Sequence, residues 1–135
     1  MTKRNPETRL QIKVVEWMAS CLPDGAEFWA TLNERNVSPR AGKLANLMGR
    51  RAGVSDLMVL WSRRLFCIEL KVEADPIKGT KKTYARPDQR EFGERIKRAG
   101  GVYAVCRHTD EVEALLRSYG VPIDTRAWTI RQGLK

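Results

Sequence analysis

Apolar positions first recur with a helical period at Leu10, Val14, Trp17 and Met18. Ile12 and Val15 widen that stripe, which runs to about Cys21, so the spacing predicts an amphipathic helix. Asn5-Pro6 supplies its start, as an N-cap followed by a proline at the first helical position. The stretch Leu-Pro-Asp-Gly that follows stops it. Phe28 to Leu32 is short and rich in aromatic and β-branched residues, which predicts a strand. Ser38-Pro39 opens a second, more basic helix with Leu44, Leu47 and Met48 on its apolar side, and Gly49 ends it. The residues from Arg50 to Ser55 then form an exposed, flexible basic approach to the next segment.

Two apolar runs follow, Asp56 to Trp61 and Leu65 to Val72, separated only by Ser62-Arg63-Arg64. So short a break predicts an antiparallel hairpin. A polar insertion from about Glu73 to Tyr84 is expected to be a loop with mobile lysines. Pro87 begins a helix through Ala99 with Phe92 and Ile96 inward, closed by Gly100-Gly101. Val102 to Cys106 is a fourth strand, and Thr109 caps a helix to about Tyr119. The expected fold is a single α/β domain over residues 1–135, a central mixed β-sheet flanked by helices. Its core spans about 6–119, with a short tail at 120–135 that Trp128 anchors on the body or on another subunit.

Alternation along the second hairpin strand puts Leu65, Cys67, Glu69 and Lys71 on one face, and Phe66, Ile68 and Leu70 on the other. If Trp61 pairs with Leu65, Asp56 returns beside Glu69 and Leu70. Like charges brought together repel, and a hard divalent cation such as Mg²⁺ relieves the repulsion. Mg²⁺ takes one or two carboxylates and leaves room for water and phosphate. The Lys71 ammonium then has two natural uses, orienting water or balancing charge on a phosphate. Singly, each of these residues is equally an ordinary strand-end acid or a surface pair worth little.

Charge sharpens this picture. The 135 residues carry 25 Lys and Arg against 16 Asp and Glu, a formal +9, which favours a polyanionic partner such as nucleic acid. No apolar run approaches the roughly 20 residues of a bilayer span, so no membrane partner is expected. The N-terminus lacks a secretory pattern. Cys21, Cys67 and Cys106 are far apart and odd in number, which fits reduced thiols better than disulfides or zinc. With His108 the single histidine, a histidine-rich metal cluster is excluded.

The ordered set of pieces resembles the PD-(D/E)xK nuclease superfamily, and within it the small stand-alone phage and bacterial type of the VRR-NUC family. The matching residues are Glu7 and Gln11, Gly53 and Asp56, Glu69 and Lys71, Gln89, and the run from Arg98 to Val105. The resemblance spans roughly Pro6 to Tyr119. It implies a restriction-endonuclease-like core and an Mg²⁺- or Mn²⁺-dependent endonuclease acting on DNA, with branched or nicked substrates in view. A homodimer, a cytoplasmic setting in a bacterial or phage-infected cell, and phage or host DNA-processing partners go with it.

By that resemblance Asp56 and Glu69 are metal ligands with the Leu70 carbonyl as a third, and Lys71 is the catalytic lysine. Glu7 completes the acidic pocket or holds a metal-bound water, and is equally readable as a first-turn acid that suits the helix N-terminus. Glu16 is its rival, although helical spacing places it away from the side shared by Glu7 and Gln11. Gln89 is a hydrogen-bonding member of the site, directed at the lysine, a phosphate or water, and Gln11 is a weaker one. Arg50, Arg51, Lys78, Lys81, Lys82 and Arg86 are candidates for phosphate contacts, and Asn33 for the same cleft. Two residues depart from the family pattern: Ser55 stands where proline is usual before the aspartate, and Arg86 where serine precedes the helix-opening proline. Two other readings use the same residues, a non-catalytic DNA-binding protein on a nuclease scaffold and an RNA-processing nuclease.

Overall fold

The computed structural model describes residues 4–31 and 38–133. Its elements run α1 (Pro6–Cys21), β1 (Glu27–Ala30), α2 (Pro39–Leu47), β2 (Leu57–Trp61), β3 (Arg64–Leu70), α3 (Pro87–Arg98), β4 (Val102–Cys106), α4 (Thr109–Ser118) and α5 (Arg126–Gly133). The four strands form one mixed sheet in the order β1-β2-β3-β4. The pairs β1/β2 and β2/β3 are antiparallel, and β3/β4 is parallel. A parallel pair needs a crossover connection, and the segment containing α3 provides it.

Caps act where the sequence placed them for the first two helices. The Asn5 side chain accepts from the Thr8 N–H at 2.8 Å, and Ser38 Oγ accepts from the Ala41 N–H at 3.2 Å. The hairpin differs from expectation by one residue. Its turn is Ser62-Arg63 alone, both at positive φ (49° and 68°), so Trp61 pairs with Arg64. Two residues at positive φ are what a tight hairpin turn demands, and Asn or Gly usually supply them. Ser-Arg-Arg carries no such signal, hence the slip. The tighter register brings Leu57 opposite Ile68, so continuing the ladder sets Asp56 across from Glu69.

Cross-strand partners share a face. Leu57, Val59, Phe66, Ile68, Leu70, Val102 and Cys106 line one side of the sheet and build the core with Val14, Trp17 and Met18 of α1 and Val112 and Leu116 of α4. Trp128 of α5 joins this core, so the tail is anchored on the body. The three cysteines are unpaired and buried; burial raises the Cys67 thiol to about 11 and Cys106 to about 12, leaving both protonated and unreactive.

The opposite face of the sheet receives α3, and here hydrophobicity was a poor guide. The helix packs through buried Gln89 and Gly93, one turn apart, while Phe92 and Ile96 are only half-buried. A Cβ at Gly93 would lie 2.3 Å from the Tyr103 ring, so glycine sets the helix-to-sheet distance. On α2 the expected apolar side is solvent-exposed: Leu44, Leu47 and Met48 all face water, and only Gly42 is buried. The strand expected to reach Leu32 ends at Ala30, and both Leu32 and Asn33 lie outside the described residues.

Two connections expected to be loose are held by specific contacts. Gly53 has φ +78°, and a Cβ there would sit 2.2 Å from the Asp88 carbonyl oxygen. The approach to Asp56 is thus wedged against the first turn of α3. Gly53→Ala combines left-handed strain with a backbone clash, so a loss of roughly 2–4 kcal/mol is expected, measurable as a lowered urea midpoint. The insertion after β3 closes on itself through an Asp75–Thr80 bridge. It is tied to the strand end where Thr83 N–H donates to Val72 O and Val72 N–H donates to Thr83 Oγ1.

Candidate active site

Asp56 precedes β2, and Glu69 and Lys71 lie at the end of β3, so the sheet itself brings them together. Asp56 is fixed by the chain it must face: the Leu70 N–H donates to Asp56 Oδ2 at 2.8 Å. Its own carbonyl accepts from the Thr31 N–H at 2.9 Å, extending the β1/β2 ladder. Glu69 is 1% exposed. Its Oε1 accepts from Gln89 Nε2 at 2.8 Å, while Oε2 is buried with no hydrogen-bond partner.

Gln89 orders this arrangement from α3. Its amide oxygen accepts from the Arg86 N–H at 2.8 Å, closing one half of a capping box. A backbone N–H can only donate, so that end of the amide must be oxygen and the end facing Glu69 must be NH₂. The two bonds therefore fix Gln89 as a donor to Glu69. It was expected to reach the lysine, a phosphate or water; it holds the carboxylate instead. The guanidinium of Arg86 turns to Asp88 at 3.2 Å. Having no acceptor, it cannot replace the missing serine cap.

Burial is the main force on Glu69, and it raises the carboxyl pKa far above the usual range. The neighbouring Asp56 carboxylate pushes the same way, by its charge and as an acceptor for a proton on Glu69, and Lys71 only partly opposes it. Lys71 is 3% exposed, with Nζ 3.8 Å from Glu69 Oε1 and 3.8 Å from Glu7 Oε1. Glu7, in the first turn of α1, therefore reaches the cluster from the neighbouring helix. Gln11 is half-buried one turn further on, and Glu16 is exposed on the solvent side.

An acid pair with one orphaned buried oxygen needs a proton or a cation. Among the described residues no three His, Cys, Asp or Glu side chains gather into a metal cage. The donor set is two carboxylates beside the Leu70 peptide, which suits Mg²⁺ or Mn²⁺ bound chiefly through water and phosphate. The residues present fit such an ion.

The basic residues divide. Arg50 folds back on α2, donating to Asn46 Oδ1 and to the Gly42 carbonyl. Lys82 pairs with Glu73 at 3.3 Å, and Arg86 with Asp88. Arg51 is exposed. Lys78 and Lys81 line a cleft of about 460 Å³, together with Arg4, Arg9, Glu7 and Thr83. This cleft places cations on the approach to Glu7 and so to Lys71. Arg4 and Arg9 were not anticipated, because only the fold brings the start of α1 against the insertion. Arg107 was also missed: it donates to the Val72 carbonyl at 2.8 Å, beside the lysine, from a position whose sequence neighbours announce nothing.

Among solved structures, the chain is similar to one described as a VRR_NUC domain protein. The two are 24% identical, with a TM-score of 0.57 over 88% of this chain and 91% of that one. The mixed sheet and its flanking helices thus have the VRR-NUC, restriction-endonuclease-like fold. No protein-family model and no curated protein matches the sequence.

Proposed function

We propose, on the premise of this VRR_NUC fold, that the chain is a divalent-cation-dependent nuclease hydrolysing phosphodiester bonds in DNA. One observation carries the reading: a buried Glu69 with an unpartnered oxygen beside the half-buried Asp56, and Lys71 set between Glu69 and Glu7. An unsatisfied buried acid is a liability for stability, and its place beside Lys71, whose neighbours Glu7 and Val72 line a basic cleft, suits phosphate chemistry.

Asp56 and Glu69, with the Leu70 carbonyl, would hold Mg²⁺ or Mn²⁺. When bound, such an ion supplies charge that polarises a phosphodiester and acidifies water. Lys71 contributes a compact cation, held between two acids, that orients the attacking water and balances charge developing on the phosphate. Glu7 holds that ammonium in place. Gln89 presents Glu69 in one orientation. Lys78 and Lys81, with Arg4 and Arg9, draw the backbone towards the cluster by phosphate contacts that carry no sequence information.

The test is incubation with linear, nicked and four-way DNA in Mg²⁺, Mn²⁺ or EDTA. Cleavage in either metal, abolished by EDTA and by Asp56→Ala, is the expected result. Binding without cleavage in both metals would establish a non-catalytic scaffold, and RNA cut in preference to DNA an RNA-processing enzyme. Cleavage surviving Asp56→Ala would refute the assigned site.

A further inference from the structure

Tyr84 is a large aromatic side chain left 66% exposed in a segment that is otherwise pinned down. Thr83, just before it, is hydrogen-bonded in both directions to Val72, the residue after Lys71. Two cations attend the ring. Arg107 lies 5.4 Å from its centroid and Lys82 5.7 Å. Arg107 is itself held, donating to the Val72 carbonyl at 2.8 Å. Lys82 is on a flexible arm whose other partner, Glu73, is about half exposed. An exposed ring thus stands two positions before the Arg86–Gln89 cap, beside the strand end that carries Lys71, with one fixed cation and one displaceable cation.

Burial does not explain this placement, since the ring hides little surface. Neither is a ring needed to hold Arg107, which is anchored on a carbonyl. What an exposed aromatic among cations does well is stack a nucleobase while the cations attract the adjoining phosphates. A base still paired within a duplex has its faces covered by its neighbours, so only an unpaired base offers a face to the ring. We infer that Tyr84 is a stacking platform for an unpaired DNA base next to the scissile linkage, making this a site for strands with an unpaired nucleotide rather than for uninterrupted duplex. Base stacking displaces the Lys82 ammonium from the ring and leaves Arg107 in place. This inference rests on the nuclease reading for the words "scissile linkage", but the stacking itself can be measured without cleavage.

The experiment is fluorescence anisotropy in EDTA, using labelled DNA carrying one unpaired nucleotide, the same DNA with an abasic residue at that position, and fully paired duplex. Wild type should prefer the unpaired base over the abasic and paired forms by roughly 5- to 100-fold, the range of one base–aromatic stack. Tyr84→Ala should lose that preference, binding all three DNAs alike, while Tyr84→Phe and Tyr84→Trp should keep it. Equal preference in wild type and Tyr84→Ala would overturn the platform, as would equal binding of the base-bearing and abasic DNAs by wild type. Cleavage run in parallel separates the two claims. Metal-dependent cutting that is indifferent to Tyr84 leaves the nuclease and removes the platform. Base-dependent binding with no cutting in Mg²⁺ or Mn²⁺ does the reverse.

Discussion

Replacing Lys71 by methionine is expected to lower single-turnover DNA cleavage by about 10²- to 10⁴-fold, the usual scale for removing a positioned proton-handling or charge-balancing group. Methionine keeps most of the apolar stem that the 3% exposed lysine packs into the protein. The change therefore removes an ammonium and little else. That ammonium stands 3.8 Å from both Glu7 and Glu69, so its loss leaves the acid cluster more negative. Cation affinity should hold or rise while the chemical step fails. A fall in rate with retained Mn²⁺ binding identifies Lys71 with the chemistry; parallel loss of both identifies it with structure. Rates measured over a range of Mn²⁺ concentrations distinguish the two.

Glu69→Gln is the second change with a large expected effect, and its two consequences run in opposite directions. The amide oxygen keeps the bond from Gln89. The amide NH₂ replaces a buried oxygen that has no partner, and it faces the Asp56 carboxylate as a donor. Gln is neutral at every pH, so the variant no longer has to keep a buried carboxyl protonated where the unfolded chain has released that proton. The metal-free protein should be stabilised by about 1–3 kcal/mol at pH 8. Under the proposed function activity should nevertheless vanish, because the oxygen proposed to hold the cation is gone.

The pH dependence follows from the direction of the Glu69 shift. Folding raises its pKa above the unfolded value of 4.5, so above that value the folded state holds a proton the unfolded chain has released. Stability of the metal-free wild type then falls as pH rises from about 5 towards the raised folded pKa. On the proposed mechanism, Mn²⁺ should take the place of that proton and restore stability at pH 8 by binding only the folded state. Glu69→Gln should show neither the decline nor the metal response. Thermal melts at pH 5, 6, 7 and 8, with and without Mn²⁺, read both.

Much of this arrangement was legible in the residues. Alternation along Leu65 to Lys71 and the short break before it were enough to bring Asp56 and Glu69 to one end of a hairpin, whichever register formed. The register itself was out of reach, because Ser62 and Arg63 adopt positive φ with no glycine or asparagine to announce it. The role of Gln89 was equally hidden. A polar residue in a basic helix has no hydrophobic signature, and only the spacing set by Gly93 against Tyr103 carries it to Glu69. Gly53 was visible as part of a turn, but its reason is the Asp88 carbonyl, 35 positions away. Arg107 and Tyr84 meet through a carbonyl on a third segment, a contact without any local pattern. Sequence thus exposes chemistry that lies along one strand, and conceals chemistry assembled between elements.

The most direct measurement is cleavage of the same DNA substrates by wild type and Glu69→Gln across a Mn²⁺ titration, each protein first shown by its melting curve to be folded. The account predicts cutting by wild type that rises with Mn²⁺ and stops in EDTA, and no cutting by a variant that melts higher in the absence of metal. Equal cutting by the two proteins, or cutting by wild type that ignores EDTA, would contradict it.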